Sequence, residues 1–358
     1  MILSLGADIK SRYCIYKEGR INLSKEFGDL SNLDNLNRFR REVSKLNPDI
    51  LTFDMHPGYF SAQIAESITA KKKIAVQHHH AHIASQLFNK KINKPVIGIA
   101  LDGTGYGLDG NLWGGEFLLL KGSKFERIAH FKYLPMPGGE SVIKEPWKMA
   151  FSLLYDCFGE KTLKLKVDTL KVCPKSYYNV LAKMIEKKIN SPLTSSAGRL
   201  FDAVSSILGV CHIARFEAEA AIKLDKLASL SDVRDSYKFD ILREDNSYII
   251  GYNTLIKSIL SDLNKRILKQ DIARKFHNAL AGLIVEFVAK ISKKHKTKSV
   301  VLSGGVFQNK LLFELVTKEL EARKYELIND RSTPVNDLSI CIGQTQVVLN
   351  SFNLKLKT

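Results

Sequence analysis

Four histidines occupy five positions in the string Gln77-His78-His79-His80-Ala81-His82. On a helix, residues four apart lie on one face, so His78 and His82 can present their imidazoles to one metal ion while His79 and His80 point elsewhere. A surface or core cluster is the bland alternative, yet four histidines at this density are hard to explain as packing. A two-imidazole site needs further ligands, and the chain offers aspartates where strands end or helices begin. Asp102 follows the apolar run 96–101, and Asp337 opens the last helical stretch. Two His with two Asp form a mixed nitrogen and oxygen set that favours Fe(II), Zn(II) or Mn(II) over soft-metal chemistry. Taken alone, either aspartate is more often a cap or a turn residue.

Glycine supplies the second constellation, in Asp102-Gly-Thr-Gly-Tyr-Gly107, Trp113-Gly-Gly-Glu116, Pro137-Gly-Gly139 and Ser303-Gly-Gly-Val306. Glycine lets a backbone approach a ligand and exposes its amides, and a helix starting just after Gly305 would aim its dipole at an anion. Each motif is weak by itself, and Asp109-Gly110 reads as a hairpin turn. Neither a Walker A lysine motif nor the dinucleotide fingerprint is present, and no Ser-His or Cys-His arrangement stands out as a nucleophile. The five cysteines (Cys14, Cys157, Cys173, Cys211, Cys341) are scattered, with no Cys-x-x-Cys pair, so they read as reduced core residues.

The elements that must carry these residues show a mixed pattern. Strands are expected over 2–7 and 13–16, a helix over 33–46, a strand over 49–54, a helix over 59–70 and a strand over 74–76. A second meander runs from 95 to 102, through a Gly-rich loop, and on through 114–120 and 127–133. The stretch 145–230 reads mostly helical, and 161–190 is its least patterned part, a candidate insertion. A long amphipathic helix over 271–293, a strand over 299–302, a helix over 307–323 and a final helix after Asp337 complete the chain. Helices alternating with apolar strands imply a partly parallel α/β fold. Two meanders, each followed by helices, suggest two related lobes, 1–92 and 93–358, with the helical insertion at about 145–230. A Gly-rich, two-lobed arrangement without a phosphate-binding loop resembles two facing RNase H-like lobes of the superfamily of actin, heat-shock chaperone ATPases and sugar kinases.

The chain has 358 residues, 45% apolar and 25% charged, which suits a globular protein and excludes disordered, collagen-like and coiled-coil classes. No apolar run approaches the roughly 18 residues that cross a bilayer, and the first residues are too quickly acidic for a signal peptide, so a cytoplasmic location is expected, with no membrane partner. The 54 Lys and Arg against 37 Asp and Glu leave a net charge of +17 and a pI near 9.5. Of those 54 basic residues 40 are Lys, in runs without interleaved aromatics, so nucleic acid is disfavoured and a solvated surface or an anionic small-molecule site is expected.

The strings Val76-Gln-His-His-His-Ala-His-Ile83, Asp102-Gly-Thr-Gly-Tyr-Gly107, Trp113-Gly-Gly-Glu116, Pro137-Gly-Gly-Glu140, Glu145-Pro-Trp147, 194–203 (Thr-Ser-Ser-Ala-Gly-Arg-Leu-Phe-Asp-Ala) and 302–309 (Leu-Ser-Gly-Gly-Val-Phe-Gln-Asn) carry a specific resemblance. In that order, from Gly6 to Gln344, they resemble the carboxy-terminal transferase region of the HypF carbamoyltransferases, which mature nickel-iron hydrogenases. The resemblance implies a metal held by His78, His82, Asp102 and Asp337, touching the phosphate of a bound carbamoyl-adenylate. It implies that Ser303, Gly304, Gly305, Asn309, Gly198 and Asp202 surround the nucleotide, that Glu217 lies near its ribose, and that Lys10 faces the carbamoyl end. It further implies transfer to the carboxy-terminal cysteine of a HypE-type partner, with AMP as product. The other HypF modules do not occur in the sequence, so a separate YrdC-like protein is expected to make the adenylate in trans. Ala218 departs from the family's usual Gly after Glu217, and Gly58 from its usual Asp in His56-Pro57-Gly58-Tyr59; His56 itself reads as structural. The alternatives on the same fold are an antibiotic-type O-carbamoyltransferase and a tRNA threonylcarbamoyl-type transferase. A non-catalytic nucleotide-binding scaffold is the third, against which the presence of all four ligand-type residues argues.

Overall fold

The structure is a computed structural model that describes residues 1–90, 94–245 and 247–352. Its first sheet contains β1 (Ile2–Ser4), β2 (Cys14–Lys17), β3 (Arg20–Leu23), β4 (Ile50–Asp54) and β5 (Lys72–Val76), in the order β3-β2-β1-β4-β5. The first three strands are antiparallel neighbours, and β4 and β5 then add in parallel. Helices α1 (Leu33–Val43), α2 (Phe60–Ser67) and α3 (His78–Ser85) connect or follow these strands.

The second sheet repeats the plan. It contains β6 (Val96–Tyr106), β7 (Leu112–Lys121), β8 (Lys124–Phe131), β9 (Leu134–Pro135), β10 (Leu193–Thr194), β11 (Asp240–Glu244), β12 (Ser247–Gly251), β13 (Ser299–Ser303) and β14 (Glu326–Leu327). Within its order β11-β12-β8-β7-β6-β13-β14, the run from β8 to β14 has the antiparallel triple and parallel pair of the first sheet. The two sheets thus share one topology over five strands. The 92/93 boundary expected between them lies outside the described residues. The remaining helices are α4 (Ser141–Lys144), α5 (Pro146–Phe158), α6 (Lys175–Glu186), α7 (Ala197–Ile207), α8 (Glu219–Ala228), α9 (Asn253–Asn264), α10 (Lys269–His295), α11 (Lys310–Ala322) and α12 (Ile340–Ser351).

Alternation along β6 explains how the sheet is covered. Ile97, Ile99 and Leu101 face a core with Leu153, Leu200, Phe201, Phe276 and Leu280 from α5, α7 and α10. Val96 and Ala100 face the other way, against Ile83 of α3 and Val301 of β13. Helix α3 is covered on its far side by Ile340 and Val347 of α12, so all eight of its residues are buried, histidines included. Among the described residues no helix is long and apolar enough to cross a membrane.

Three expectations change. The helix expected over 307–323 begins only at Lys310, because Asn309 caps it by accepting the Leu312 amide, and a 3-10 turn (Gly305–Gln308) fills the gap. No helix dipole therefore starts at Gly305. The expected loop after Asp102 is instead a continuation of β6 to Tyr106, with a register shift between Leu101 and Gly105. That bulge carries the strand past the histidines, where a β-carbon at Gly105 would fall on the rings of His78 and His79. Finally, β11, β12 and α9 extend the second sheet and its cover from a region that gave no sequence signal.

Helices α3 and α12 cross at Gly343, where an added β-carbon would land on the Ala81 carbonyl. Backbone cannot yield as a flexible side chain does, so Gly343→Ala should lower stability by about 1–3 kcal/mol in urea unfolding. Unchanged stability would show that the two helices can separate freely.

Candidate metal centre

The centre assembles at the carboxyl ends of the parallel strands, the usual location of sites in open α/β sheets. Strand β5 ends at Val76, and Gln77 caps α3 by accepting the His80 amide at 2.8 Å, which starts the helix at His78. His78 and His82 then share a face, with ring centroids 4.8 Å apart. Asp102 projects from β6, and Asp337 from the turn that precedes α12. One donor atom from each of these four residues lies within 4.8 Å of the others.

The distances suit a metal. His82 Nε2 is 2.9 Å from Asp102 Oδ2 and 3.4 Å from Asp337 Oδ1; His78 Nε2 is 3.3 and 3.8 Å from the same oxygens. Four donors about 2.1 Å from a tetrahedral metal lie roughly 3.4 Å apart. Asp102 Oδ1 is held separately by the amides of Gly103 (2.8 Å) and Gly305 (3.0 Å), which aims Oδ2 at the imidazoles. Burial alone would disfavour charged imidazoles. The carboxylates outweigh it: Asp54 and Asp102 hold His78 well above the usual imidazole range, and Asp102 with Asp337 holds His82 up as well. This electronegative pocket is satisfied either by protons on the imidazoles or by a metal between them, so the residues present fit a divalent ion.

His79 and His80 do point elsewhere. The Gln77 amide nitrogen donates to His79 Nδ1 at 3.0 Å and to the Tyr106 carbonyl at 3.0 Å, so His79 carries its proton on Nε2. Burial drives its pKa down to about 3, and it stays neutral. His80 packs against Phe125 with ring centroids 5.0 Å apart.

The Trp113-to-Glu116 and Thr194-to-Gly198 strings frame Asp102. Buried Glu116 accepts the amides of Gly114 and Gly115 (both 3.1 Å), the Ser195 hydroxyl (2.6 Å) and Arg127 Nε (2.6 Å). The Arg127 guanidinium lies 3.7 Å from the Trp113 ring centroid. Next to this network, Ser196 caps α7 and its hydroxyl lies 2.8 and 2.7 Å from the carbonyls of Asp102 and Gly103. Gly198 packs against Gly103, beside the ligand.

The other expected nucleotide residues divide into two groups. Ser303 Oγ lies 3.5 Å from His82 Nδ1, and the Gly304 amide donates to the Val335 carbonyl at 2.8 Å, so the Ser303–Gly305 turn borders the metal residues. Asp202 is buried on α7, 2.8 Å from Arg199 Nε but misaligned for a hydrogen bond, and burial raises its pKa despite that cation. Asn309 donates to Nε2 of buried His277 at 2.9 Å while capping α11. Glu217 is exposed and accepts Lys10 Nζ at 3.1 and 3.2 Å, joining the β1–β2 loop to the α7–α8 loop. His56 stacks on Tyr59 at 4.3 Å and its Nδ1 accepts the Gly58 amide, which agrees with a structural role.

One site residue was missed in the sequence, and one noted departure is now placed in the fold. Asp54, at the end of β4, accepts His78 Nδ1–H at 2.6 Å with both side chains fully buried. Its signal was position: it ends a strand as Asp102 follows one, next to the strand that leads into α3. Ala218 has φ 59° and ψ 16°, a left-handed conformation at the start of α8 that suits the glycine expected there.

Family models match both units: residues 1–89 match the HypF Kae1-like domain, and residues 98–344 the second subdomain of the carbamoyltransferase Kae1-like domain. The chain is similar to a carbamoyltransferase HypF homolog of Cupriavidus necator, 33% identical over 97% of this chain and 91% of that one. It is also similar to the carbamoyltransferase HypF of Synechocystis, at 31% identity over 96% of this chain but 46% of that one, so it spans about half the length of that relative. Among solved structures, full-length HypF in its phosphate- and nucleotide-bound form superposes with a TM-score of 0.92 at 35% identity, covering 99% of this chain and 56% of that chain.

Replacing His78 or Asp102 with Ala should abolish tight divalent-metal binding, read as metal content after gel filtration; full metal content in either variant would remove that residue from the ligand set. Protons and metal compete for the same Nε2 atoms. In the wild type, metal affinity should therefore fall as pH is lowered, starting above the ordinary imidazole value of about 6.5. Ala218→Gly should relieve left-handed strain and raise stability by about 1 kcal/mol in denaturant unfolding.

Proposed function

The chain belongs to the HypF carbamoyltransferase family, and from that membership and the site's geometry we propose that it carries out the last carbamoyl transfer of hydrogenase maturation. The donor is carbamoyl-adenylate, and the acceptor is the carboxy-terminal cysteine thiolate of a HypE-type protein. A carbon–sulfur bond forms at the carbamoyl carbon, the carbon–oxygen bond to phosphate breaks, and AMP leaves with the electron pair. The thiolate arrives deprotonated, so no general base on this chain is required. Transfer itself consumes no ATP, and formation of the adenylate is assigned to a separate YrdC-like protein acting in trans.

The observation that supports this reading above others is the convergence of His78, His82, Asp102 and Asp337 beside the Ser303–Gly305 turn. A divalent ion held there, Fe or Zn with Mn as a further candidate, supplies positive charge to the phosphate of the leaving AMP. Around it, Ser303, Gly304, Gly305 and Gly198 border the nucleotide, with Asp202 and Asn309 shaping the helices α7 and α11 behind them. Glu217 receives the ribose hydroxyls. The Lys10–Glu217 pair is exposed, an arrangement worth only about 0–1 kcal/mol, so ribose can displace Lys10 at little cost. The freed ammonium then faces the oxyanion that forms as the carbamoyl carbon is attacked.

The test mixes the metal-loaded protein with carbamoyl-adenylate and a HypE-type acceptor and weighs the acceptor. A gain of one carbamoyl group, lost when the terminal cysteine is replaced by Ser, is expected. Carbamoylation of a small hydroxyl compound or of tRNA instead would replace the acceptor assignment, and no transfer to any of them would overturn the activity. Lys10→Ala should lower kcat by about 10²–10³, whereas Glu217→Gln should act mainly on KM for the adenylate; a wild-type kcat in Lys10→Ala would remove Lys10 from the chemistry.

A further inference from the structure

His78 is held at both ring nitrogens, and the two contacts differ in kind. Its Nε2 faces Asp102 and Asp337, while its Nδ1–H donates to Asp54 Oδ2 at 2.6 Å. Both His78 and Asp54 are completely enclosed. Asp54 Oδ1 accepts the backbone amide of His56 at 2.9 Å, so each carboxylate oxygen has one donor. Among the described residues Asp54 forms no ion pair with Lys or Arg, and His78 is its ion-pair partner.

The backbone sets up this contact. Asp54 pairs in register with Val76, the last residue of β5, and α3 starts two residues later. The side chain is thereby delivered to the first histidine of the helix by sheet pairing. His82 has no such support: its Nδ1 faces the Ser303 hydroxyl at 3.5 Å, the outer limit of a hydrogen bond.

We propose that Asp54 is a positioning residue of the metal centre. It fixes His78 in the tautomer with hydrogen on Nδ1 and the lone pair on Nε2, locks the ring plane toward Asp102 and Asp337, and makes the imidazole a stronger donor. The two imidazoles are then unequal ligands, His78 backed by a carboxylate and His82 by a neutral hydroxyl. This inference rests on the metal reading of the site, and it joins that site to the His56–Tyr59 turn through a single side chain.

The test uses the full chain as wild type, Asp54→Ala and Asp54→Asn. Metal-free proteins are compared by circular dichroism and urea unfolding, then titrated with Co(II) against a chromophoric chelator while the visible Co(II) bands are recorded. Asp54→Ala is expected to bind Co(II) about 10–100-fold more weakly with altered bands. Asp54→Asn, which keeps an acceptor for Nδ1–H but loses the charge, should fall between the two. A folded Asp54→Ala with wild-type affinity and spectrum overturns the proposal. Should that variant not fold, wild-type affinity and spectrum in Asp54→Asn overturn it instead. Failure of the wild type to bind Co(II) at all is a different result, which removes the metal reading beneath it.

Discussion

Buried charge around one short helix is the constraint on which the structure depends. Helix α3 lies between the second sheet and α12, every residue of it out of solvent, and it carries four imidazoles into that space. Buried polar rings must find partners or remain neutral. His79 and His80 remain neutral, their pKa values pushed down to about 3 and about 4 by burial. His78 and His82 instead face carboxylates from three other elements, β4, β6 and the turn before α12. The same helix thus separates its histidines by face into two that pack and two that attract positive charge.

Delivering those carboxylates requires the sheets. Asp54 ends β4, Asp102 lies inside β6 where its register shifts, and Ser303 ends the strand that pairs in parallel with β6. In an open α/β sheet the carboxyl ends of parallel strands form one edge, and loops from that edge converge. Such convergence brings groups from residues 54, 78, 102 and 303 together although long stretches of chain separate them. Close backbone approach is the other requirement. The bulge at Gly105 and the crossing at Gly343 leave no room for side chains, because anything larger would push the strand or α12 away from α3.

The legible part of this arrangement was local. Spacing four on a helix put His78 and His82 together, and strand-end or helix-start positions marked Asp102 and Asp337, because those rules act within a few residues. The illegible part was pairing at long range. Nothing in the run 49–54 says that Asp54 lies beside Val76, since register is a property of two strands. Nor does any local pattern reveal that Glu217 meets Lys10, 207 residues away, or that Asn309 turns to His277 as it caps α11. The helix start after Gly305 was misjudged because the Asn309 side chain accepts the Leu312 amide and so starts the helix four residues later.

The charge of the whole chain takes on meaning at the site. With Asp54, Asp102 and Asp337 ionised, two protons on the imidazoles or one divalent ion between them would each leave the pocket formally at −1. The adenylate of the proposed function would therefore call for further positive groups nearby. The amides of the Ser303–Gly305 turn are partly consumed by Asp102 and Val335. Under the proposed function one such group is Lys10, whose ammonium pairs with the exposed Glu217 carboxylate, on a chain in which 54 basic residues outnumber 37 acidic ones. Such an excess raises the local concentration of anions without choosing among them. Selection among anions then falls to the geometry of the site, since net charge alone cannot choose between them.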